Sequence, residues 1–260
     1  MFVQLGDARV NTASFGSGDD VVFGVGGWIG NWELWQQPFE LLTSKGFRTI
    51  AYDHYGAGET TAPAERLAFE AHVGCVFELL DHFGVERCVL AGESNGGTVA
   101  FAAATRDPSR FRGVAVVDAP VHGFDNDVVR GFIEALRADY ESTIAGFVDF
   151  CIPEPDCDHV KRWLRRILMR ADADGAITLL EAMFGVDLRS DLPSLDLPAQ
   201  IIHGEHDRNP HNSVDDARET ARLLGDAPLH VVRGAGHVPT LTRPSEVADV
   251  MADFIARLPA

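Results

Sequence analysis

The stretch Gly92-Glu93-Ser94-Asn95-Gly96-Gly97 decides how the chain is read. It follows Arg87-Cys88-Val89-Leu90-Ala91, a compact apolar run with the length of a buried strand. It precedes Thr98-Val99-Ala100-Phe101-Ala102-Ala103-Ala104, which reads as a buried helix. A serine flanked by glycines two residues to either side, on a strand-to-helix turn, is held in a strained backbone conformation. The small residues let strand and helix approach closely. Its hydroxyl then stands beyond the carboxyl end of the strand, beside the positive end of a helix, where developing negative charge is favoured. The plainer reading of Ser94 is a small residue in a tight turn, and the rest of the chain has to separate the two.

Working outward, residues 2–5 and 9–15 read as two edge strands joined by a Gly6-Asp7 turn. Residues 20–25 form a continuous apolar run that ends in glycines, and residues 47–52 form another that ends at Asp53. Apolar residues at helical spacing predict helices over 33–44 and 67–83, stopped by Gly46 and Gly84. After the serine turn, Gly113-Val114-Ala115-Val116-Val117 is a further strand, ending at Asp118. Strands alternating with helices imply crossover connections and a mostly parallel, doubly wound α/β sheet. Functional groups in such sheets lie at the carboxyl ends of strands, where Gly26-Gly27, Asp53, Ser94 and Asp118 all fall.

The alternation stops at about residue 122. Residues 128–150, 158–170 and 176–184 read as helices, with Pro153 and Pro155 breaking the first from the second. The rhythm then resumes with strands at 199–204 and 229–232 and helices near 217–224 and 244–258. The expected organisation is a core of residues 1–121 and 193–260, with an all-helical cap of residues 122–192 lying over the strand ends.

A serine hydroxyl becomes a nucleophile when a base takes its proton, and the base needs an acid to orient it. Asp207 follows the strand Ile201-Ile202 through His203-Gly204-Glu205-His206. His237 follows Val231-Val232 in the glycine-rich loop Arg233-Gly234-Ala235-Gly236-His237. Serine, acid and histidine thus occur in the chain order known for this type of turn. Asp118, at another strand end, is the rival acid.

These segments together resemble the α/β-hydrolase superfamily, in the serine branch that carries a helical cap between core strands. Gly92 to Gly96 resembles its nucleophile turn, Gly204-Glu205-His206-Asp207-Arg208-Asn209-Pro210 its acid loop, and Gly236-His237 its histidine loop. Asp53-His54-Tyr55-Gly56-Ala57-Gly58-Glu59-Thr60 resembles its D-x-R-G-x-G-x-S segment. The resemblance implies a Ser94–Asp207–His237 triad, with the backbone N–H groups of Trp28 and Asn95 forming an oxyanion hole. Two departures stand out. Gly26-Gly27-Trp28 occupies the place of the usual His-Gly, and Tyr55 that of the usual arginine. An aspartate nucleophile would have suggested a dehalogenase or epoxide hydrolase, and the serine argues against both. The implied activity is cofactor-free hydrolysis of a carboxylic ester or lactone. Cleavage of a C–C bond, acyl transfer and perhydrolysis run on the same residues, and a slow-turnover ligand receptor of the same fold is an alternative of another class.

Other features have plainer readings beside the functional ones. Glu93 is a partly buried structural acid or a group that tunes the site's charge. Gly27 and His122 are candidates for the substrate pocket, although His122 also simply leads into the cap. Trp28, beside the implied oxyanion hole, has a better claim to the pocket than Trp32 and Trp35, which fit a helix face. His203, His206 and His211, with Glu205 and Asp207, lack the spacing of a tight zinc site, so no metal is expected. Gly24, Gly26, Gly27 and Gly30 lack the rest of a dinucleotide fingerprint.

The chain has 260 residues, 46% of them hydrophobic, enough for one substantial core. Its 39 acidic and 22 basic residues leave a formal charge of −17, which argues against nucleic acid or an anionic membrane as partner. The expected partner is a small molecule, apolar and uncharged given the 16 phenylalanines, unless Lys161 or Arg166 meets a carboxylate. Cys75, Cys88, Cys151 and Cys157 form no C-x-x-C pair and read as small apolar residues. A Cys151–Cys157 disulfide has no secretion signal to support it, and a cytoplasmic protein is expected.

Overall fold

In the computed structural model, residues 1–123, 125–210 and 212–259 are described. The apolar runs become β1 (Phe2–Leu5), β2 (Ala8–Phe15), β3 (Val21–Val25), β4 (Arg48–Tyr52), β5 (Cys88–Glu93), β6 (Phe111–Val117), β7 (Ala199–Gly204) and β8 (Leu229–Val232). They form one sheet in the order β1-β2-β4-β3-β5-β6-β7-β8. The β1/β2 and β2/β4 pairs are antiparallel and the rest are parallel. This is the mostly parallel α/β sheet expected. One detail differs: β2 is not an edge strand, because Thr12 to Phe15 pair with β4 on its second side.

Helices cover both faces. On one face α2 (Phe69–His82), α3 (Asn95–Arg106) and α8 (Val214–Leu223) bury Leu79, Leu80, Phe101 and Ala217 against Phe23 and Val25. On the other, α1 (Gln36–Ser44) and α10 (Pro244–Ala256) bury Phe39, Leu42, Met251 and Phe254 against Val22. Val22 and Phe23 face opposite layers, as the two-residue period of a strand requires. Burial of each large apolar side chain is worth about 1.5–3 kcal/mol. Residues 33–44 do not form one helix. Asn31 accepts from the Glu33 N–H and starts a short 3₁₀ turn over Trp32–Leu34, and α1 begins after it.

Between β6 and β7, the described residues form α4 (Asp127–Ala138), α5 (Tyr140–Cys151), α6 (Asp158–Leu168) and α7 (Ala173–Glu181). Residues 128–150 are two helices rather than one. Asp139 sits at φ −154° and its carboxylate accepts from the Ser142 N–H, so it starts a new helix instead of continuing the old one. This segment has its own apolar cluster, built on Ile133, Ile144, Val148, Leu164 and Ile167, and Trp28, Ile29, Val238 and Leu241 join it from the sheet side. A short helix, α9 (Pro239–Thr242), precedes α10. Cys75, Cys88, Cys151 and Cys157 are free thiols. Among the described residues no helix is long and apolar enough to cross a membrane.

Candidate active site

Ser94 stands between β5 and α3 at φ +52°, left-handed backbone that a side chain rarely adopts. The turn closes because its glycines leave no room for anything larger. A Cβ on Gly92 would lie 2.5 Å from Gly97 Cα, and one on Gly96 would lie 2.2 Å from the Gly26 carbonyl oxygen. The strand and helix therefore touch backbone to backbone, and the Ser94 N–H donates to the Val117 carbonyl at 2.9 Å.

A hydrogen-bonded chain runs from this serine. Ser94 Oγ is 2.9 Å from His237 Nε2, and His237 Nδ1 is 2.8 Å from Asp207 Oδ2. Asp207 is itself held. Its Oδ1 accepts from the backbone N–H and the amide of Asn209, and its Oδ2 from the Asn212 amide, each at 2.9 Å. Burial opposes charge on both partners, but each stabilises the other. Burial alone would push His237 down; the charge and hydrogen bond of Asp207, with the charge of Glu93, push it up instead. Burial alone would push Asp207 up, and His237 and the Asn209 N–H bring it below the usual carboxylate range.

Asp118 stands close by but serves another bond. Its Oδ1 accepts from the Gly204 N–H at 2.8 Å, and it is not the group on His237 Nδ1. Burial, then the charge of Asp207, hold its carboxyl well above the usual range, which favours the protonated form. Among the described residues, Asp118, Asp207 and His237 bring ligand-type atoms within 4.8 Å of one another. Hydrogen bonds account for that approach, and a protonated Asp118 is a poor metal ligand. Of the histidines weighed for a metal, His203 bonds the Asn212 carbonyl at 3.1 Å and His206 is exposed. His211 lies outside the described residues.

A cavity of about 510 Å³ opens over Ser94 and His237. Trp28 and Asn95 line it, as do Phe132, Phe147 and Phe150 from α4 and α5. The Trp28, Phe132 and Phe147 rings pack with centroids 5.3–5.6 Å apart. Trp28 anchors its indole N–H on the Ala176 carbonyl of α7 at 2.8 Å. The three early tryptophans separate: Trp28 reaches the cavity, Trp35 is fully buried beneath the sheet, and Trp32 packs on Phe15. Gly27 lines a smaller neighbouring cavity with Glu93 and Ser94. His122 is not in the lining of the large cavity, which passes from Pro120 to Val128; it forms a bridge with Asp187. Lys161 pairs with Asp149 at 2.8 Å, and among the described residues the arginine that lines the cavity is Arg208.

Sequence reasoning missed Asn209, Asn212 and His54. The first two lie in or just beyond the acid loop and carry the only local signal, amides within five residues of Asp207. His54 donates to the Gly26 carbonyl across the strand ends, a contact that no spacing reveals.

A family model described as alpha/beta hydrolase fold matches residues 20–187. The chain belongs to the α/β-hydrolase family. Among solved members of the fold, an esterase from Exiguobacterium antarcticum superposes with a TM-score of 0.91 at 22% identity, covering 98% of each chain. The enol-lactonase from Burkholderia xenovorans LB400 does so with a TM-score of 0.91 at 21% identity, covering 99% of this chain and 100% of its own. At these identities the likeness speaks to the α/β-hydrolase fold alone. By sequence, the karrikin insensitive 2 receptor CA of Petunia hybrida is 26% identical over 94% of this chain and 95% of its own.

Proposed function

We propose that this α/β-hydrolase cleaves apolar carboxylic esters or lactones through Ser94, His237 and Asp207, with residues 122–192 as its cap. The observation that carries the reading is the unbroken Ser94–His237–Asp207 hydrogen-bond chain at the floor of the aromatic cavity. The esterase and enol-lactonase names of the two structural relatives agree with it.

In the first step Ser94 Oγ attacks the carbonyl carbon as His237 Nε2 takes its proton. Asp207 keeps the other imidazole proton on Nδ1 and balances the charge of the imidazolium. The carbonyl oxygen becomes an oxyanion between the backbone N–H groups of Trp28 and Asn95, each such donor being worth about 3–4 kcal/mol. The tetrahedral intermediate collapses, the C–O bond to the alcohol breaks, and His237 gives the leaving oxygen its proton. Water, deprotonated by His237, then attacks the acyl-enzyme, releasing the acid and restoring Ser94. For a lactone, the alcohol and acid leave as one hydroxy acid.

The test is labelling by a fluorophosphonate, read by intact-protein mass, beside turnover of short and medium p-nitrophenyl esters. The expected result is one adduct, absent in Ser94→Ala, with many turnovers in the unsubstituted protein. Absence of labelling would overturn the mechanism. A second reading, a slow-turnover receptor, draws on the name of the Petunia relative. It would be favoured by one stoichiometric burst without further turnover.

A further inference from the structure

The turn from Gly26 to Trp28 has a mechanical difficulty. Trp28 sits at φ +20°, outside the regions that suit a side chain, while Gly26 and Gly27 bring no side chains to hold it there. Strain of this kind persists only where the surroundings fix it. Within the turn, the Gly30 N–H donates to the Gly27 carbonyl at 2.6 Å. Beyond it, the Trp28 indole is tied to α7, and the remaining backbone constraints come from neighbouring strands. The Gly27 N–H donates to Glu93 Oε2 at 3.0 Å, from the end of β5. His54, just past β4, bonds the Gly26 carbonyl through Nε2. Both side chains are buried, at 2% and 4% exposure, so water does not compete for these bonds.

We propose that Glu93 and His54 are positioning residues, which together hold the Gly26–Trp28 turn so that the Trp28 N–H meets the developing oxyanion. The proposal rests on the hydrolase reading above for its kinetic consequences. Both bonds fall on the Gly26–Gly27 peptide, Glu93 on its N–H and His54 on its carbonyl, so the unit that precedes the Gly27–Trp28 peptide is gripped in both hydrogen-bonding senses. The protonation states suit the task. Burial pushes His54 down to about 4, so at neutral pH its ring is uncharged, and the N–H on Nε2 is the one a carbonyl accepts. Burial pushes Glu93 up to about 7, with the His237 charge and the Gly27 N–H pulling against it and the Asp207 charge reinforcing it. Asp118 and Cys151 also feel its charge. Ionised Glu93 is the stronger acceptor for Gly27, and it raises His237 at the same time.

The experiment follows the Gly27 amide by ¹⁵N NMR from pH 5 to 9 and measures kcat and KM over the same range. It compares the unsubstituted protein with Glu93→Gln, Glu93→Leu and His54→Leu, and uses Ser94→Ala as the inactive control. The Gly27 amide should titrate with a midpoint near 7 and stay flat in Glu93→Gln. Glu93→Leu should lower kcat by about 10²-fold, the scale of one lost oxyanion donor, with KM within about threefold. His54→Leu should act in the same direction. Glu93→Gln keeps an acceptor, so kcat should return to within about fivefold, while the acid limb of the profile moves to lower pH because His237 loses a charged neighbour. A Gly27 amide with the chemical shift and solvent exchange of an unbonded N–H in the unsubstituted protein overturns the proposal, even if Glu93→Leu does not fold. So does a folded Glu93→Leu with unchanged kcat, or a Glu93→Gln as impaired as Glu93→Leu. If the unsubstituted protein turns over no faster than Ser94→Ala, the hydrolase reading fails instead, and the Gly27 amide still tests the grip on the turn.

Discussion

At the scale of single residues, the site is a set of buried groups whose charges are set by one another. His237 is raised above the ordinary histidine value, and in the proposed mechanism it must be neutral to accept the Ser94 proton. Activity should therefore fall as pH drops through a value above about 6.5. Asp207→Asn removes the charge that raises the imidazole and puts a neutral amide in place of the carboxylate on Nδ1. It should move this acid limb to lower pH and reduce kcat by about 10³–10⁴-fold, read from a full pH–rate profile. Asp118 makes the opposite kind of contribution. Its carboxyl is raised in the fold, so the folded state holds a proton that the unfolded state releases, and stability declines as pH rises above the ordinary aspartate range. Glu93 adds the same sign between about 4.5 and about 7. His54 and His72, buried and pushed down to about 4 and about 3, act in the opposite sense between pH 5 and about 6.5. The Asp118 contribution is therefore read against a variant: in urea unfolding at pH 5 and 8, Asp118→Asn, which can still accept from the Gly204 N–H, should gain stability relative to the unsubstituted protein as pH rises.

At the scale of elements, legibility followed how local the cause was. β3, β5, β6 and β7 are buried on both faces and so read as continuous apolar runs, which fixed the sheet. The Ser94 turn was legible because its glycines are required by contacts within one strand-turn-helix unit. The break at Asp139 was not, because an aspartate inside an apolar periodicity is compatible with a helix surface until its carboxylate is seen to bond Ser142. Asp139→Ala should lower the thermal unfolding midpoint, because the start of α5 loses its cap. His54 and Asn212 were illegible for a different reason. Each meets its target across adjoining strand ends, His54 at Gly26 and Asn212 at the Asp118 carbonyl, and sequence distance carries no trace of that.

At the scale of the whole molecule, the acidic surface and the apolar cavity divide the work. The net charge of −17 resides largely outside a cavity walled by aromatic rings. Phe147 packs edge-on against Trp28 near the serine, and its removal lengthens the space available to an acyl chain. Phe147→Ala should raise the ratio of medium-chain to short-chain ester turnover, read as kcat/KM across a p-nitrophenyl series. Val128 and Phe150 line the same cavity and remain 62% and 38% exposed, so its apolar wall continues to the surface between α4 and α5.

The helices above the sheet are latched to the groups proposed to do the chemistry. The His237 amide is fastened to the Cys151 carbonyl at the end of α5, and the Trp28 indole to α7. A roof that swung open as a lid would drag His237 and the Trp28 turn with it. The proposed mechanism then calls for substrate traffic between α4 and α5, where Val128 and Phe150 line the cavity and stay partly exposed and no latch has to be undone. Deuterium exchange at the His237 amide reads the latch directly, and it should stay slow while the enzyme turns over. On the proposed mechanism, loosening the roof should lower kcat, whereas widening the side door should admit larger esters at no cost to alignment.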